Sequence, residues 1–190
     1  MTTICAVKKG KRLCIASDTL TLFGSRKEVA GKHVYREGKI IQIGSNYIGT
    51  SGHASWGLVL NHYFSKKKVA LEWQTAEQIF EIFNTLHKYL KEDYFFNPPP
   101  TRYVPLESSE FGILIINSYG IFEIDYQRTV RQHKHFFATG TGEEYALGAI
   151  KAVYDLIEDP KEIAKIGVEA AAQFDRKTDL PIQIQCINLE

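Results

Sequence analysis

The chain begins Met1-Thr2-Thr3, and the residue type at position 2 has a specific chemical consequence. Removal of Met1 would give Thr2 a free α-amine beside its side-chain hydroxyl, so one residue would carry both a nucleophile and a base. The reference pKa of an α-amine, about 7.7–8.0, leaves part of it unprotonated near neutral pH. The ordinary alternative is a small, polar start before a strand, and other residues are needed to choose between the two.

Hydrophobic periodicity predicts the elements that would position such a residue. Alternating apolar residues and turn glycines predict strands over 2–8, 11–18, 39–43, 47–51, 110–117, 120–125, 134–139 and 181–189. Helical spacing predicts helices over about 53–64, from 75 to about 94, over 143–157 and from 160 to about 174. Thr75 and Gln78 form a capping-box pattern, whereas TLTLFGSRKEVAG is interpreted as a loop with short extended pieces. Strands and helices come in separate blocks, which favours an α+β fold of two antiparallel sheets with helices outside both.

Composition bears on several classes of partner. A net charge of +1 leaves no broad basic surplus for binding nucleic acid. No apolar stretch has the length needed to cross a bilayer, and residues 1–20 lack the hydrophobic block of a secretory signal, so we expect no membrane partner and a cytoplasmic location. His133 and His135 would share one side of a strand, but no third ligand is evident, so we expect neither a metal nor a cofactor. The 190 residues are expected to form one domain, 1–190.

The three cysteines, Cys5, Cys14 and Cys186, lie in apolar segments that are predicted to be strands. Their spacing matches neither a metal site nor a disulfide framework. A two-residue turn at Lys9-Gly10 would place Cys5 opposite Cys14 across the first hairpin. In a reducing cytosol we expect Cys5 and Cys14 to be two small core residues.

Four segments, in this order, resemble the proteasome β-subunit family: TTICAVKKGKRLCIASD, KIIQIGSNYIGTSG, ATGTGEEYALGAI and DRKTD. This family belongs to the N-terminal-nucleophile hydrolases and includes the peptidase subunit of the bacterial ATP-dependent protease. The resemblance covers nearly the whole chain in order and spacing. It implies a four-layer αββα sandwich, a single β-subunit-like domain and hydrolysis of peptide bonds by Thr2 after removal of Met1.

The resemblance also implies partners for the Thr2 hydroxyl. Asp18 matches the family aspartate at the end of the second strand, which holds a lysine charged and in place. Lys39 is the preferred lysine, because it begins K-I-I-Q-I and leads into GTSG. Lys32 is the alternative, since it lies nearer the expected distance from Asp18. Gly52 matches the glycine whose backbone N–H serves the oxyanion hole, although a strand-to-helix turn would also explain a glycine there.

Three more residues match family positions near the terminal amine. Thr141 stands where the family has a serine, and Asp175 with Thr178 matches its Asp-x-x-Ser pair, which orients the amine and the nearby hydroxyls. Threonine retains the hydroxyl of serine and adds a methyl group, so both replacements are compatible with function. Without the resemblance, Asp175 would be interpreted as a local cap or ion pair in a charged loop.

The resemblance also implies a specificity pocket, and this chain differs from the family pattern at two positions. Thr21, Thr50 and Ala54 resemble positions that line the pocket, where small residues would leave room for a bulky substrate side chain. Asp179 stands where the family commonly has glycine, and Leu20 where it commonly has arginine. These departures put the backbone beside the site and one loop interaction in doubt, but neither removes the nucleophile.

The sequence therefore predicts a threonine-type peptidase subunit of a proteasome-like, homo-oligomeric ring. Its substrate would be a peptide or an unfolded protein, and an ATP-dependent unfoldase is a candidate partner. Two alternatives remain open. One is a structural ring subunit that retains Met1, in which the Thr2 nitrogen is an amide and cannot act as a base. The other is an amidase of the same superfamily that acts on a small molecule.

Overall fold

The computed structural model describes residues 2–29, 38–66, 73–98 and 105–189. The strands are β1 (Thr3–Lys9), β2 (Arg12–Asp18), β3 (Leu20–Phe23), β4 (Arg26–Val29), β5 (Ile40–Ile43), β6 (Asn46–Gly52), β7 (Phe111–Asn117), β8 (Gly120–Ile124), β9 (Val130–His133), β10 (Phe136–Gly140) and β11 (Ile182–Asn188). The helices are α1 (Trp56–Lys66), α2 (Ala76–Asp93), α3 (Glu143–Val153) and α4 (Pro160–Phe174). Within those residues, no helix has the length and apolar character needed to span a membrane.

Two antiparallel sheets lie face to face between two pairs of helices. One sheet has the strand order β10-β1-β2-β11, and the other has the order β5-β6-β7-β8-β9. The core between the sheets includes Ile4 and Leu114. A second core joins the first sheet to α3 and α4 through residues such as Val168, and a third joins the second sheet to α1 and α2 through Phe83 and Phe111. The expected αββα sandwich is confirmed, because three cores separate four layers.

Capping interactions fix where two of the helices begin. The Thr75 hydroxyl accepts a hydrogen bond from the Gln78 N–H at 3.3 Å, and the Gln78 side chain accepts one from the Thr75 N–H at 3.2 Å. This is the capping box predicted from the sequence. At α4, the Asp159 carboxylate accepts from the Lys161 N–H, and Pro160 occupies the first turn, where its missing N–H costs no hydrogen bond.

The first hairpin has a different register from the one expected. Its turn lies one residue later, with Gly10 at φ +54°. Val7 is therefore opposite Cys14, and Cys5 is opposite Ala16. The expectation that Cys5 faces Cys14 is wrong, because a shift of one residue in a hairpin changes every cross-strand pair.

A disulfide bond joins Cys14 of β2 to Cys186 of β11. These two residues are directly opposite each other in the antiparallel pairing, with 4.1 Å between their Cα atoms. Cys14 is buried as expected, but the expectation that it is a small core residue outside any disulfide is wrong. Their positions are 172 residues apart, so spacing along the sequence gave no sign of the pairing. Cys5 is free and buried, its Sγ lies 3.2 Å from the Ala164 carbonyl oxygen, and burial raises the pKa of its thiol to about 12.

Two further strand regions depart from the sequence prediction. In the segment expected to be a loop with short extended pieces, β3 and β4 are paired as a short hairpin that turns at Gly24 with φ +61°. β9 pairs with β8 and was not predicted. A bend separates β9 from β10, so His133 contacts Glu123 while His135 contacts Tyr154, and the two histidines do not share a side as expected. Across the described ranges, no group of three or more His, Cys, Asp or Glu side chains is arranged to hold a metal ion.

Candidate active site

Thr2 lies at the start of the first sheet, where its backbone is held from both sides. Its carbonyl oxygen accepts a hydrogen bond from the Thr141 N–H at 2.9 Å, and the next peptide nitrogen, that of Thr3, donates to Asp18 Oδ1 at 3.0 Å. Gly140 has φ +104°, and a Cβ on it would overlap the Thr2 carbonyl oxygen. Thr2 is only 2% exposed, yet it borders an open cleft. The backbone contacts therefore hold Thr2 at a defined point on the cleft wall.

Asp18 and Lys39 form an ion pair beside this point. Lys39 Nζ lies 2.9 Å from Asp18 Oδ1 and 2.8 Å from Oδ2, and the Leu20 N–H also donates to Oδ2 at 3.0 Å. The Asp18 side chain is 0% exposed and that of Lys39 is 14% exposed. Burial raises the pKa of the Asp18 carboxyl and lowers the pKa of the Lys39 ammonium, while their mutual attraction opposes both shifts. Lys32, the alternative lysine, lies outside the described residues.

A second carboxylate, that of Asp175, lies at the end of α4. Its Oδ2 accepts hydrogen bonds from the hydroxyls of Thr141 at 2.6 Å and Thr178 at 2.8 Å, and its Oδ1 accepts from the Lys177 N–H at 3.1 Å. Partial burial by itself would raise the pKa of this carboxyl, but these hydrogen bonds outweigh burial and lower the pKa below its ordinary value. Of the three residues matched to the family pattern at this point, Thr141 and Thr178 therefore both contact Asp175.

The cleft is a cavity of about 1930 Å³, and it brings together most of the remaining candidates. The candidates that line it are Thr2, Thr21, Lys39, Thr50, Gly52 and Ala54. Asp18, Thr141, Asp175 and Thr178 do not line it. The candidate residues thus form two groups, one along the cleft and one behind the Thr2 backbone.

Gly52 ends β6 at a point where only glycine fits. Its φ is +121°, and a Cβ there would lie 2.6 Å from the Glu110 carbonyl oxygen. The same oxygen accepts a hydrogen bond from Trp56 Nε1 at 3.1 Å, which ties the first residue of α1 to this turn. Gly52 therefore forms the strand-to-helix turn that one interpretation of the sequence expected, and it also lines the cleft.

Sequence reasoning missed two residues that support the site. Gln183 of β11 accepts from the Ile40 N–H and donates to the Ile40 carbonyl oxygen, each at 3.0 Å, so its side chain anchors the residue after Lys39. Thr3 donates its N–H to the Asp18 carboxylate, and its hydroxyl lies 2.6 Å from the hydroxyl of Thr178, which is itself hydrogen-bonded to Asp175. Neither carries a sequence signal, because a Gln in a strand and a Thr at the start of a strand are common.

The two departures from the family pattern have simple structural outcomes. Leu20 is fully buried, and its backbone N–H contributes to the binding of Asp18. Asp179 lies at the surface, where its carboxylate accepts a hydrogen bond from Lys27 Nζ at 3.0 Å. Neither side chain contacts Lys39 or Asp175 through a hydrogen bond in the part of the chain that the structure describes.

Comparison with known proteins gives one sequence relative and several structural ones. No protein-family model matches the chain. The ATP-dependent protease subunit HslV of Caldicellulosiruptor saccharolyticus is 27% identical over 175 residues, which cover 91% of this chain and 90% of that protein.

Solved structures give closer similarity. BPH from Thiobacillus denitrificans is 38% identical with a TM-score of 0.93, and the match covers 100% of this chain and 99% of that one. The same protein in complex with epoxomicin gives a TM-score of 0.92 at 38% identity over 100% of both chains. Eukaryotic HslV from Trypanosoma brucei is 19% identical with a TM-score of 0.69 over 98% of this chain and 99% of that one, and it shares the fold.

Proposed function

Since this chain belongs to the proteasome β-subunit family of N-terminal-nucleophile hydrolases and is a threonine-type peptidase subunit, we propose that Thr2 is its nucleophile after removal of Met1. One observation carries this proposal: Thr2 and Lys39 line the same cleft, and Lys39 is held there by the buried Asp18. A buried carboxylate keeps the ammonium in place, and a positive charge near the hydroxyl favours loss of its proton. No cofactor enters the proposed steps.

The reaction begins when Thr2 Oγ1 attacks the carbonyl carbon of the substrate peptide bond. Its proton passes to the free α-amine, directly or through one water molecule. The negative oxygen of the tetrahedral intermediate accepts a hydrogen bond from the backbone N–H of Gly52, the cleft-lining residue that matches the family's oxyanion-hole glycine. The intermediate collapses as the protonated amine gives its proton to the leaving nitrogen, and an ester remains on Thr2.

Hydrolysis of that ester completes the cycle. A water molecule attacks the acyl carbon while the α-amine takes one of its protons, and the Thr2 oxygen leaves and is reprotonated. Asp175, with Thr141 and Thr178, keeps the terminal residue oriented from behind the cleft. Thr21, Thr50 and Ala54 receive the substrate side chain next to the scissile bond, since they line the cleft and are small.

The proposed biological unit is a cytoplasmic homo-oligomeric ring whose clefts face an enclosed chamber. Its substrates are peptides or unfolded proteins, because a chamber excludes folded ones. The similarity to a subunit named as part of an ATP-dependent protease supports an ATP-driven unfoldase as the partner that supplies unfolded chains.

The intact mass of the purified protein, alone and after incubation with a peptide epoxyketone, tests the proposal. This reagent reacts with both the hydroxyl and the free amine of an N-terminal threonine. We expect loss of Met1 and one adduct per chain, and no adduct on Thr2→Val. If Met1 is retained and no adduct forms, Met1 is removed enzymatically and the labelling is repeated. Failure to form the adduct after that removal would overturn the proposal in favour of a structural ring subunit. An adduct without peptide turnover would instead favour a small-molecule amidase.

A further inference from the structure

We propose that Thr3, the residue after the nucleophile, is a positioning residue. It connects the Asp18 carboxylate to the hydrogen bonds that Thr178 and Asp175 make behind the cleft. Its backbone N–H donates to Asp18 Oδ1 at 3.0 Å, and its side-chain oxygen lies 2.6 Å from Thr178 Oγ1. This inference rests on the proposed function of Thr2 and adds a residue to it.

The direction of the hydroxyl contact follows from the acceptor beyond it. Thr178 donates its only hydroxyl hydrogen to Asp175 Oδ2 at 2.8 Å, because an ionised carboxylate can only accept. Thr178 Oγ1 must then accept from the Thr3 hydroxyl. The hydrogen bonds therefore run from Thr3 through Thr178 to Asp175.

The space around the Thr3 hydroxyl is closely defined. A Cβ on Gly142 would overlap Thr3 Oγ1, and it would lie 2.9 Å from the Ala171 Cβ and 3.2 Å from Asp175 Oδ2. The first residue before α3 therefore has to be glycine for the hydroxyl to reach Thr178. Thr3 is fully buried and, unlike Thr2, does not line the cleft, so it is not an alternative nucleophile.

The consequence concerns the end of the chain. A terminal residue ordinarily frays, because fixing its backbone costs conformational entropy. After removal of Met1, Thr2 has no preceding residue, so its position depends on the peptide group that it shares with Thr3. That group is held at its N–H by Asp18 and at its carbonyl oxygen by the Thr141 N–H. The hydrogen bond from the Thr3 hydroxyl to Thr178 adds a third attachment. It keeps the amine of Thr2 oriented toward the Asp175 side and the hydroxyl of Thr2 oriented toward Lys39.

The test compares Thr3→Val, which removes the hydroxyl at nearly constant shape, with Thr3→Ser, which retains it. Both are measured as the processed, full-length protein by the rate and concentration dependence of peptide-epoxyketone inactivation. We expect Thr3→Val to lower the limiting inactivation rate about 3- to 10-fold with the half-saturating concentration unchanged within twofold. Thr3→Ser should stay within twofold of the wild type. Thr139→Val, on the paired strand β10, is the matched control and should leave both constants unchanged.

A second measurement, amide hydrogen exchange of the N-terminal peptide, does not depend on activity. We expect the first amides of β1 to exchange at least threefold faster in Thr3→Val than in Thr3→Ser. If Thr3→Val does not fold, Thr3→Ala replaces it. An unchanged limiting rate in the Val variant, or equal slowing by Ser and Val, would overturn the inference. If the wild type takes no label, the proposed function fails, and the exchange rates alone support or overturn the role of Thr3.

Discussion

Lys39 and Asp18 depend on each other far more than the surface ion pairs of this chain do. The Asp18 side chain is 0% exposed and that of Lys39 is 14% exposed, whereas those of the surface pair Lys27 and Asp179 are 60% and 42% exposed. Removing one partner of a buried pair leaves a buried charge uncompensated and costs about 3–5 kcal/mol. We expect Lys39→Ala to lower the free energy of unfolding by about that amount and to abolish epoxyketone labelling.

Lys27→Ala is the matched control, since exposed pairs contribute about 0–1 kcal/mol. Both variants are measured by urea unfolding and by intact mass after labelling. A Lys39→Ala protein that labels at the wild-type rate would show that Lys39 only stabilises the fold.

Asp175 should make stability depend on pH in a defined direction. Hydrogen bonds from Thr141, Thr178 and the Lys177 N–H lower the pKa of this carboxyl in the folded protein below its unfolded value of about 3.9. A carboxyl with a lowered folded pKa stabilises the protein above the unfolded pKa, and this contribution disappears as the pH falls through the folded pKa. Wild type should therefore exceed Asp175→Asn in unfolding free energy at pH 7, and the difference should shrink below about pH 4. A difference that stays constant from pH 7 to pH 3 in urea unfolding would contradict this assignment.

Among the elements, the turn from β6 into α1 makes the strictest demand on residue type. Gly52 has φ +121° and no room for a Cβ, whereas Gly57 on α1 has its nearest neighbour, Ile41 Cγ2, at 4.0 Å. Both glycines line the cleft. Gly52→Ala should cost about 1–3 kcal/mol in stability and lower the rate of epoxyketone labelling. Gly57→Ala should change stability by less than about 1 kcal/mol and leave labelling intact. If Gly57→Ala lowered stability and the labelling rate as much as Gly52→Ala, the effect would not be specific to Gly52, and its special role would be removed.

The pairing of β2 with β11 carries a prediction about thiol chemistry. The Cys14–Cys186 bond closes a loop of 172 residues, and in the chain-entropy account closing a loop of that length destabilises the unfolded chain by about 5 kcal/mol. Reductant should therefore lower the urea midpoint of the wild type and leave that of Cys14→Ala/Cys186→Ala unchanged. Alkylation should modify one thiol, Cys5, in the unfolded oxidised protein and three after reduction. Three alkylated thiols without reductant would mean that the pair is not oxidised.

The same alkylation in freshly lysed cells tests the proposed compartment, because disulfides are rare in a reducing cytoplasm. Protein made in the cytoplasm should show three free thiols at lysis and form the bond only afterwards. A bond already present at lysis would argue against a cytoplasmic location.

A feature of this molecule could be predicted from the sequence when the residues that produce it lie close together along the chain. Helix starts such as Thr75 with Gln78 depend on residues three apart, and the sequence predicted them correctly. The register of the first hairpin depended on which two residues form the turn, and a shift of one residue produced the wrong cysteine pairing. Thr3 contacts Thr178 across 175 positions and Gln183 contacts Ile40 across 143 positions, so no local sequence pattern could predict these contacts. Asp18 and Lys39 were reached only through resemblance to a family.

The layered core explains why Asp18 and the Thr178–Asp175 pair can both lie next to the start of β1. β1 lies inside its sheet between β10 and β2, with Ile4 packed toward the second sheet and Cys5 toward α4. Neighbouring residues of a strand face opposite sides, so Thr2 reaches the cleft while Thr3 faces the end of α4. A central strand buried on both faces therefore fixes the start of the chain as firmly as its middle.

Assembly is the property of the whole molecule that the proposed function requires. Several large apolar side chains lie at the surface, including Phe95 at 86% exposure, Leu156 at 81% and Phe174 at 71%, and contacts between subunits would cover such groups. We expect native mass spectrometry to give a whole-number multiple, greater than one, of the mass of the processed chain, which is the 21.6 kDa chain without Met1. Short peptides and unfolded casein should be cleaved, and a folded protein of similar size should not. Dilution below the assembly range should reduce cleavage of both substrates in parallel with the native mass. A protein that remains monomeric and cleaves peptides at full rate would show that Thr2 chemistry needs no ring, and the enclosed chamber would then have no part in selecting the substrate.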